Sequence, residues 1–218
     1  LQTIGGNFTI NNITTLNTLS GFSHLQTIGG NFQITNNPNL VSCTGFGSLQ
    51  HITGFYDVYN NTSLTALPTT TALTQIDYYF RITNNANTTM AGLNALTSVG
   101  NHFNLYDNPL LTNISALSSL TAINGQLYIA GNPLLTSLSG LDNLSTGVTN
   151  LTINANPQLS TCNMSSICSL IPIVSNSITD NSIGCNSNTQ VLVSCGQPQN
   201  CQNVYLYSQQ DVDSYVYN

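Results

Sequence analysis

Charged side chains are almost absent from this 218-residue sequence, in which they make up 4% of the residues. Glutamate, lysine and tryptophan do not occur, all seven acids are aspartate, and Arg81 is the only base. A nucleic-acid-binding protein needs a basic surface to displace counterions, so nucleic acid is excluded as a partner. The same lack of basic residues argues against attraction to anionic membranes.

Long apolar runs are also missing, because the longest extend over only a few residues. The sequence therefore predicts no membrane insertion, and it shows no secretory signal peptide. It opens in the middle of a repeating pattern, so we expect it to be a fragment of a mature protein.

Catalytic combinations of residues are hard to find. The three histidines, His24, His51 and His102, fall at different positions of the repeat described below, and none has an acid at the same or an adjacent strand position, as a catalytic triad would require. The only closely spaced carboxylates, Asp211 and Asp213, suit the start of a helix. We predict that the protein is not an enzyme and that it uses no cofactor or metal.

Five of the six cysteines lie in the last quarter of the chain, and Cys43 stands apart. This clustering indicates either a disulfide-bonded cap or a zinc site. The spacing between Cys162 and Cys168, like that between Cys195 and Cys201, is wider than the close pairs typical of structural zinc sites, which favours disulfides. Disulfides predict an oxidising, extracellular compartment.

Self-similarity at a fixed period is the strongest signal in the sequence. A leading leucine recurs at spacings of 24, 24, 24, 23, 24 and 24 residues: Leu1, Leu25, Leu49, Leu73, Leu96, Leu120 and Leu144. Apolar residues at positions 8 and 10 of each repeat alternate with polar ones, which is typical of a half-buried strand. Asparagine follows at position 13 in six repeats, where its side chain can satisfy backbone groups freed at a turn.

One such repeat is too short to bury its own apolar side chains, so neighbouring repeats must stack. We therefore predict a β-dominated solenoid of the α/β type, with one parallel sheet, loops or short 3₁₀ turns on the other side, and few helices. A degenerate eighth coil is expected around Ile178 and Asn181.

The pattern of Leu25 to Asn37, read as L-x-x-I-G-G-x-F-x-I-x-x-N, resembles the receptor L-domain branch of the leucine-rich repeats. It is similar in particular to leucine-rich surface proteins secreted by Bacteroidota such as flavobacteria. The resemblance implies a right-handed coil and an extracellular protein at the cell surface. It also implies that the cysteine-rich segment closes the array, and we expect Cys162 to pair with Cys185 and Cys168 with Cys195.

The domain organisation that follows has three parts. Residues 1–161 form seven coils, and residues 162–200 form the cysteine-linked cap with the eighth coil. In the family that the chain resembles, a segment like residues 201–218 is a linker and the N-terminal cap of a following module. Cys43 is expected to be buried and free, and Cys201 to pair outside this segment.

The last part of the chain carries a short apolar helical face, formed by Val212, Tyr215 and Val216. The first coil has no cap within the sequence, and an uncovered solenoid edge exposes apolar side chains and unpaired strand groups. We predict a head-to-tail interface in which this face of one module covers the first-coil edge of the next, which we define as Leu1, Ile4, Phe8 and Ile10.

Positions 7, 9 and 11 of each repeat should point outward from the sheet. In the first, second and seventh coils they are small and polar, whereas the middle coils carry a group that we call the aromatic strip: Phe55, Asp57, Tyr59, Tyr79, Arg81, His102, Tyr106 and Tyr128. Such a group is typical of a ligand-binding surface, but cross-strand packing alone would also explain it. Arg81 and Asp57 are expected to form an exposed ion pair.

Two functions follow from these features. The first is a non-catalytic module of a secreted adhesin or extracellular filament, whose partners are neighbouring copies or modules. The alternative is a discrete receptor domain that binds a carbohydrate or peptide through the aromatic strip.

Overall fold

The structure, a computed structural model, describes residues 1–196. The expected roles of Cys201, Val212, Tyr215 and Val216 concern residues outside this range. Within it the chain winds into a solenoid, as the repeat predicts. Every strand pairs in parallel with the equivalent strand of the neighbouring coil, 23 to 25 residues away.

The main sheet contains eight parallel strands, one from each coil. Going along the chain they are β2 (Phe8–Asn11), β5 (Phe32–Thr35), β8 (Tyr56–Tyr59), β10 (Phe80–Thr83), β12 (Phe103–Tyr106), β14 (Gln126–Ala130), β15 (Asn150–Asn154) and β16 (Ser175–Thr179). The first five begin at position 8, as the alternating pattern predicts, β14 and β15 begin one residue earlier, and the eighth strand includes Ile178. The pairing is in register, with position 8 of one coil opposite position 8 of the next.

Two further parallel sheets, which the sequence pattern did not predict, are built from two-residue strands. Six of these strands form one sheet: β1 (Thr3–Ile4), β4 (Thr27–Ile28), β7 (His51–Ile52), β9 (Gln75–Ile76), β11 (Ser98–Val99) and β13 (Ala122–Ile123). A third sheet pairs β3 (Thr18–Leu19) with β6 (Ser42–Cys43). The expectation of one sheet thus holds for the main sheet, and short pairings on other sides of the coil add to it.

Helices are short and few in the described range. They are a 3₁₀ turn at Ser115–Leu117 and the helices α1 (Ser165–Leu170) and α2 (Asn188–Ser194). Ser187 caps α2 by accepting a hydrogen bond from the backbone N–H of Gln190. Ile167 and Leu170 of α1 are buried against the last coils, so α1 closes the core at that end.

The core of the solenoid is a continuous column of apolar side chains. Position 8 supplies a column of stacked rings, with centroids 4.5 to 5.4 Å apart, formed by Phe8, Phe32, Tyr56, Phe80 and Phe103. Each ring removes a large apolar area from water, which is the main favourable contribution to folding. The hydroxyl of Tyr56 is buried with no hydrogen-bond partner among the described residues, and burial raises its pKa well above the usual value.

A ladder of buried asparagines runs beside the main sheet at position 13, made of Asn37, Asn61, Asn85, Asn108, Asn132 and Asn156. Asn85 shows the pattern: its Nδ2 donates to the carbonyl oxygens of Val58, in the preceding coil, and Thr83, in its own coil, at 2.8 and 2.9 Å. Its Oδ1 accepts the backbone N–H of Asn61 at 3.1 Å. Each side chain thereby satisfies buried backbone groups of two coils, as the sequence predicts.

The C-terminal coils are cross-linked. Cys162 is bonded to Cys185 and Cys168 to Cys195, which are the pairs expected from the resemblance, and the zinc alternative is wrong for these four residues. Cys43 is buried and bonded to no described cysteine. Burial raises the pKa of its thiol to about 12, so the thiol stays protonated and unreactive at neutral pH.

We predict that Asn85→Ala lowers the free energy of unfolding by about 3 kcal/mol, because it removes three buried hydrogen bonds and leaves the backbone N–H of Asn61 without a partner. Asn39→Ala is the control, since the exposed Asn39 donates one hydrogen bond to the carbonyl of Thr14 and should cost under ~1 kcal/mol. Urea unfolding followed by circular dichroism measures both. Equal losses in the two variants would contradict a special role for the ladder.

Candidate functional site: the outer face of the main sheet

The aromatic strip lies on the outer face of four neighbouring strands, β8, β10, β12 and β14. The strand register places its residues in three rows that run across the sheet. Phe55, Tyr79 and His102 immediately precede β8, β10 and β12 in the first row. The middle row contains Asp57, Arg81, Asn104 and Tyr128, and the third row contains Tyr59, Thr83 and Tyr106.

The ion pair between Arg81 and Asp57 differs from the expectation. Nε and Nη2 of Arg81 donate to the two carboxylate oxygens of Asp57 at 2.8 and 2.6 Å, so the pair is bidentate. The Asp57 side chain is only 2% exposed, whereas that of Arg81 is 32% exposed. The prediction of an exposed pair is therefore wrong for the carboxylate, because Arg81 and the residues around it cover Asp57.

This burial changes what the pair does. The hydrogen bonds to Asp57 raise the pKa of Arg81 above its usual value, so the guanidinium is charged at every pH at which the protein is folded. The same guanidinium lies 5.2 Å from the centre of the Tyr59 ring, in a cation–π contact. Arg81 is thus held in one place by an acid on one side and a ring on the other.

The remaining rings contact one another in two groups. Phe55 and Tyr79 stack in parallel with centroids 4.4 Å apart, and Tyr106 and Tyr128 meet edge to face at 5.7 Å. These residues are half-buried, which leaves part of each ring open to solvent. Burial, and next the charge of Asp57, raise the pKa of Tyr79, so its hydroxyl remains a hydrogen-bond donor at neutral pH.

Not every outward position of this face is accessible. Thr35, Thr83 and Ala130 are buried, because longer side chains beside them in the third row, such as Tyr59 and Tyr106, cover them. His102 is exposed, and its Nδ1 accepts the backbone N–H of Gln126 at 3.0 Å.

One histidine does have an acid partner, contrary to the sequence analysis. Nε2 of His51 lies 2.9 Å from Oδ2 of Asp77, and Gln75 donates to the other oxygen of Asp77 at 2.6 Å. The pair lies beside the six-stranded sheet and joins position 3 of one coil to position 5 of the next. No hydroxyl group among the described residues hydrogen-bonds to His51, so the pair lacks the nucleophile of a triad.

Two residues of this surface are not among the predicted site residues, although the alternating pattern places one of them, Asn104, on the outer face. Tyr78 is 50% exposed and its ring contacts that of Tyr79 at 5.5 Å. Asn104 lies between Arg81 and Tyr128 in the middle row. The residue at position 9 differs from coil to coil, and the chain contains many asparagines. The sequence therefore does not show that the side chain of Asn104, unlike those of the ladder asparagines, makes no hydrogen bond to another described residue.

The first-coil edge is open among the described residues. Leu1 is 80% exposed, whereas Leu25, its equivalent in the next coil, is fully buried. Ile4 and Ile10 are half-buried although their equivalents are covered. Phe8 contributes little to this edge, because it is only 7% exposed and the ring of Phe22 covers it at a centroid distance of 4.9 Å.

Residues 2–115 match the family model described as the receptor L domain. The chain belongs to the receptor L-domain family. No curated protein and no solved structure matches it. Receptor L domains are non-enzymatic binding domains.

Three further observations bear on the setting and chemistry of the L domain. The two disulfides fit an extracellular or secreted protein. In residues 1–196, none of the helices has the length and apolar character needed to cross a membrane. In the same range, no group of three histidine, cysteine or acidic side chains is placed to hold a metal ion.

We predict that Arg81→Met destabilises the L domain by about 2 kcal/mol, because it leaves the Asp57 carboxylate buried and unpaired. The loss should be smaller than for a fully buried pair, since Arg81 is itself partly exposed. The double variant Arg81→Met with Asp57→Asn should recover most of the stability, because no charge is then left unpaired. Urea unfolding of the three variants at neutral pH tests this, and a negligible loss in Arg81→Met would contradict it.

Proposed function

We propose that this L domain is a non-catalytic adhesive module of a secreted cell-surface protein, and that it contacts its ligand through the aromatic strip. The observation that carries the proposal is the concentration of half-exposed rings around Arg81 on four neighbouring strands. Outside these strands the same face carries small polar residues such as Thr9, Thr152 and Ser177.

Side chains of this kind suit binding for two physical reasons. Tyrosine and arginine dominate the energetics of protein recognition sites, because each combines a large apolar area with a hydrogen-bonding group. Here they stand on a paired sheet, and Arg81 is fixed by Asp57 and Tyr59. Less conformational entropy is lost when such fixed groups bind a ligand.

Cross-strand packing accounts for only part of the strip. It explains the stacked pair of Phe55 and Tyr79, which stabilises the sheet. It does not require the hydroxyl groups of Tyr106 and Tyr128, which donate to no described residue. Phenylalanine in their place would pack equally well, so these hydroxyls support a role in binding.

The proposed location on a cell surface rests on two supports. One is the pair of disulfides in the C-terminal coils. The other is the resemblance of the repeat to surface proteins secreted by Bacteroidota.

We expect Tyr106→Ala combined with Tyr128→Ala to weaken ligand binding at least about tenfold, because two aromatic contacts are removed together. Binding is measured on a glycan array and by pull-down with extracellular proteins and peptides. Thr9→Ala combined with Ser177→Ala is the matched control, as both residues lie on the same face outside the strip. The proposal fails if no probe binds, or if the tyrosine variant binds as well as the control.

A second candidate function is assembly into tandem modules or filaments, which the exposed first-coil edge favours. β2 is the last strand at its end of the main sheet, so one row of its backbone groups pairs with no described strand. The occupant we propose is the apolar face of Val212, Tyr215 and Val216 from a neighbouring module or copy. Such a head-to-tail contact is heterologous and repeats without closing.

For this candidate we expect the 218-residue chain to form open-ended oligomers as its concentration rises from micromolar to millimolar. Leu1→Ser should keep it monomeric at little cost in stability, since the Leu1 side chain is exposed. Val212→Asp combined with Val216→Asp should do the same. Val41→Thr changes an exposed apolar residue away from this edge and is the control. Light scattering after size-exclusion chromatography distinguishes the outcomes, and a wild-type monomer throughout would refute assembly.

A further inference from the structure

Asn104 is the one amide side chain in the middle of the aromatic strip. It is half-buried on β12, beside Arg81 of β10 and Tyr128 of β14 in the same row. Among the described residues neither its Oδ1 nor its Nδ2 makes a hydrogen bond. It differs in this from the ladder asparagines such as Asn108, whose side chain bonds to carbonyls of two coils. Asn104 therefore has a donor and an acceptor free for a ligand.

Arg81 provides a second free group next to it. Nε and Nη2 are bonded to Asp57, while Nη1 donates to no residue in the described part of the chain. Adjacent strands are about 4.8 Å apart, so the free side of the guanidinium and the amide of Asn104 lie within reach of one small ligand. Together they present several donors and one acceptor in fixed positions.

The residues around Asn104 are longer than it is. Tyr106 follows on the same strand, Tyr128 lies on the next, and their rings meet edge to face. Asn104 thus places an amide beside two partly exposed aromatic rings. The combination of a planar ring with an amide suits the apolar face and the hydroxyls of a sugar.

Charge decides which class of sugar fits. Asp57 neutralises Arg81, and the protein carries a net charge of −6. Asp107, which is exposed and follows Tyr106 in the sequence, adds another negative charge near the aromatic strip. An anionic ligand would be repelled by this field, and a cationic one would face the guanidinium directly. An uncharged ligand avoids both costs.

We propose that the aromatic strip binds a neutral carbohydrate, with Asn104 and Arg81 as its hydrogen-bonding residues and the Tyr128 ring stacked on the apolar face of a sugar ring. This inference rests on the proposed binding function of the strip and specifies its ligand class. Asn104 would both donate to and accept from neighbouring hydroxyls. The donors of Nη1 of Arg81 would bind a further hydroxyl or the ring oxygen.

The test uses the 218-residue protein on an array of neutral hexose and N-acetylhexosamine oligosaccharides. The same array carries matched uronate- or sialic-acid-containing forms and a panel of peptides. We expect binding to neutral glycans that changes less than about twofold between low and high salt, because no net charge is paired. Asn104→Ala should weaken it at least about tenfold, through the loss of two hydrogen bonds.

Asn150→Ala is the control variant, since Asn150 lies on the same face two strands away, and it should bind like the wild type. Thermal unfolding is compared in parallel, and Asn104→Ala should unfold like the wild type because no described residue depends on its amide. Binding of acidic glycans or peptides in preference to neutral glycans would overturn this inference and leave the proposed binding function intact. Neutral-glycan binding that survives Asn104→Ala would also overturn it. If no probe of any class binds, both the inference and the proposed function fail.

Discussion

The hydrogen bonds of the buried asparagine ladder are the constraint on which the rest of the solenoid depends. Each ladder side chain closes the turn after its own strand and bonds to the coil before it, so all coils are held at the same rotation about the stack. The column of core rings and the three outer rows both follow from this alignment. The coil that begins at Leu73 shows how strict it is: it is one residue shorter, yet Asn85 and Asn108 remain bonded across a separation of 23.

The coil is shortened on its loop side, and the packing differs there from that of the neighbouring coils. Asn87 occupies the buried position that Leu64 and Leu111 fill in the coils on either side. Its Nδ2 donates to the carbonyl of Thr89, but its Oδ1 has no partner among the described residues. An unsatisfied buried oxygen costs stability, and the structure gives no functional reason for it.

Much of the fold can be predicted from the sequence, because every coil must meet the same physical requirements and therefore shows the same pattern of residues. Alternation at positions 8 and 10 predicts the strands of the main sheet, and the recurring asparagine predicts the hydrogen bonds of the ladder to backbone groups.

The candidate site is less predictable. The alternating pattern places Asp57 on the outer face, but its burial depends on how Arg81 and Tyr59 lie across it. The contact of His51 with Asp77 joins unlike positions of two coils, which comparison of equivalent positions does not detect.

The last coils of the solenoid are held together by covalent bonds, and the coils before them are not. The disulfides Cys162–Cys185 and Cys168–Cys195 cross-link the last coils, whereas the coils before Cys162 are joined by non-covalent contacts between neighbours alone, as far as the structure describes them. Under a pulling force, a coil without a covalent link would unfold separately from its neighbours, and it would release about 80 Å of chain as its 24 residues extend. The coils before Cys162 would therefore extend under such a force, whereas the two disulfides limit the extension of residues 162–195.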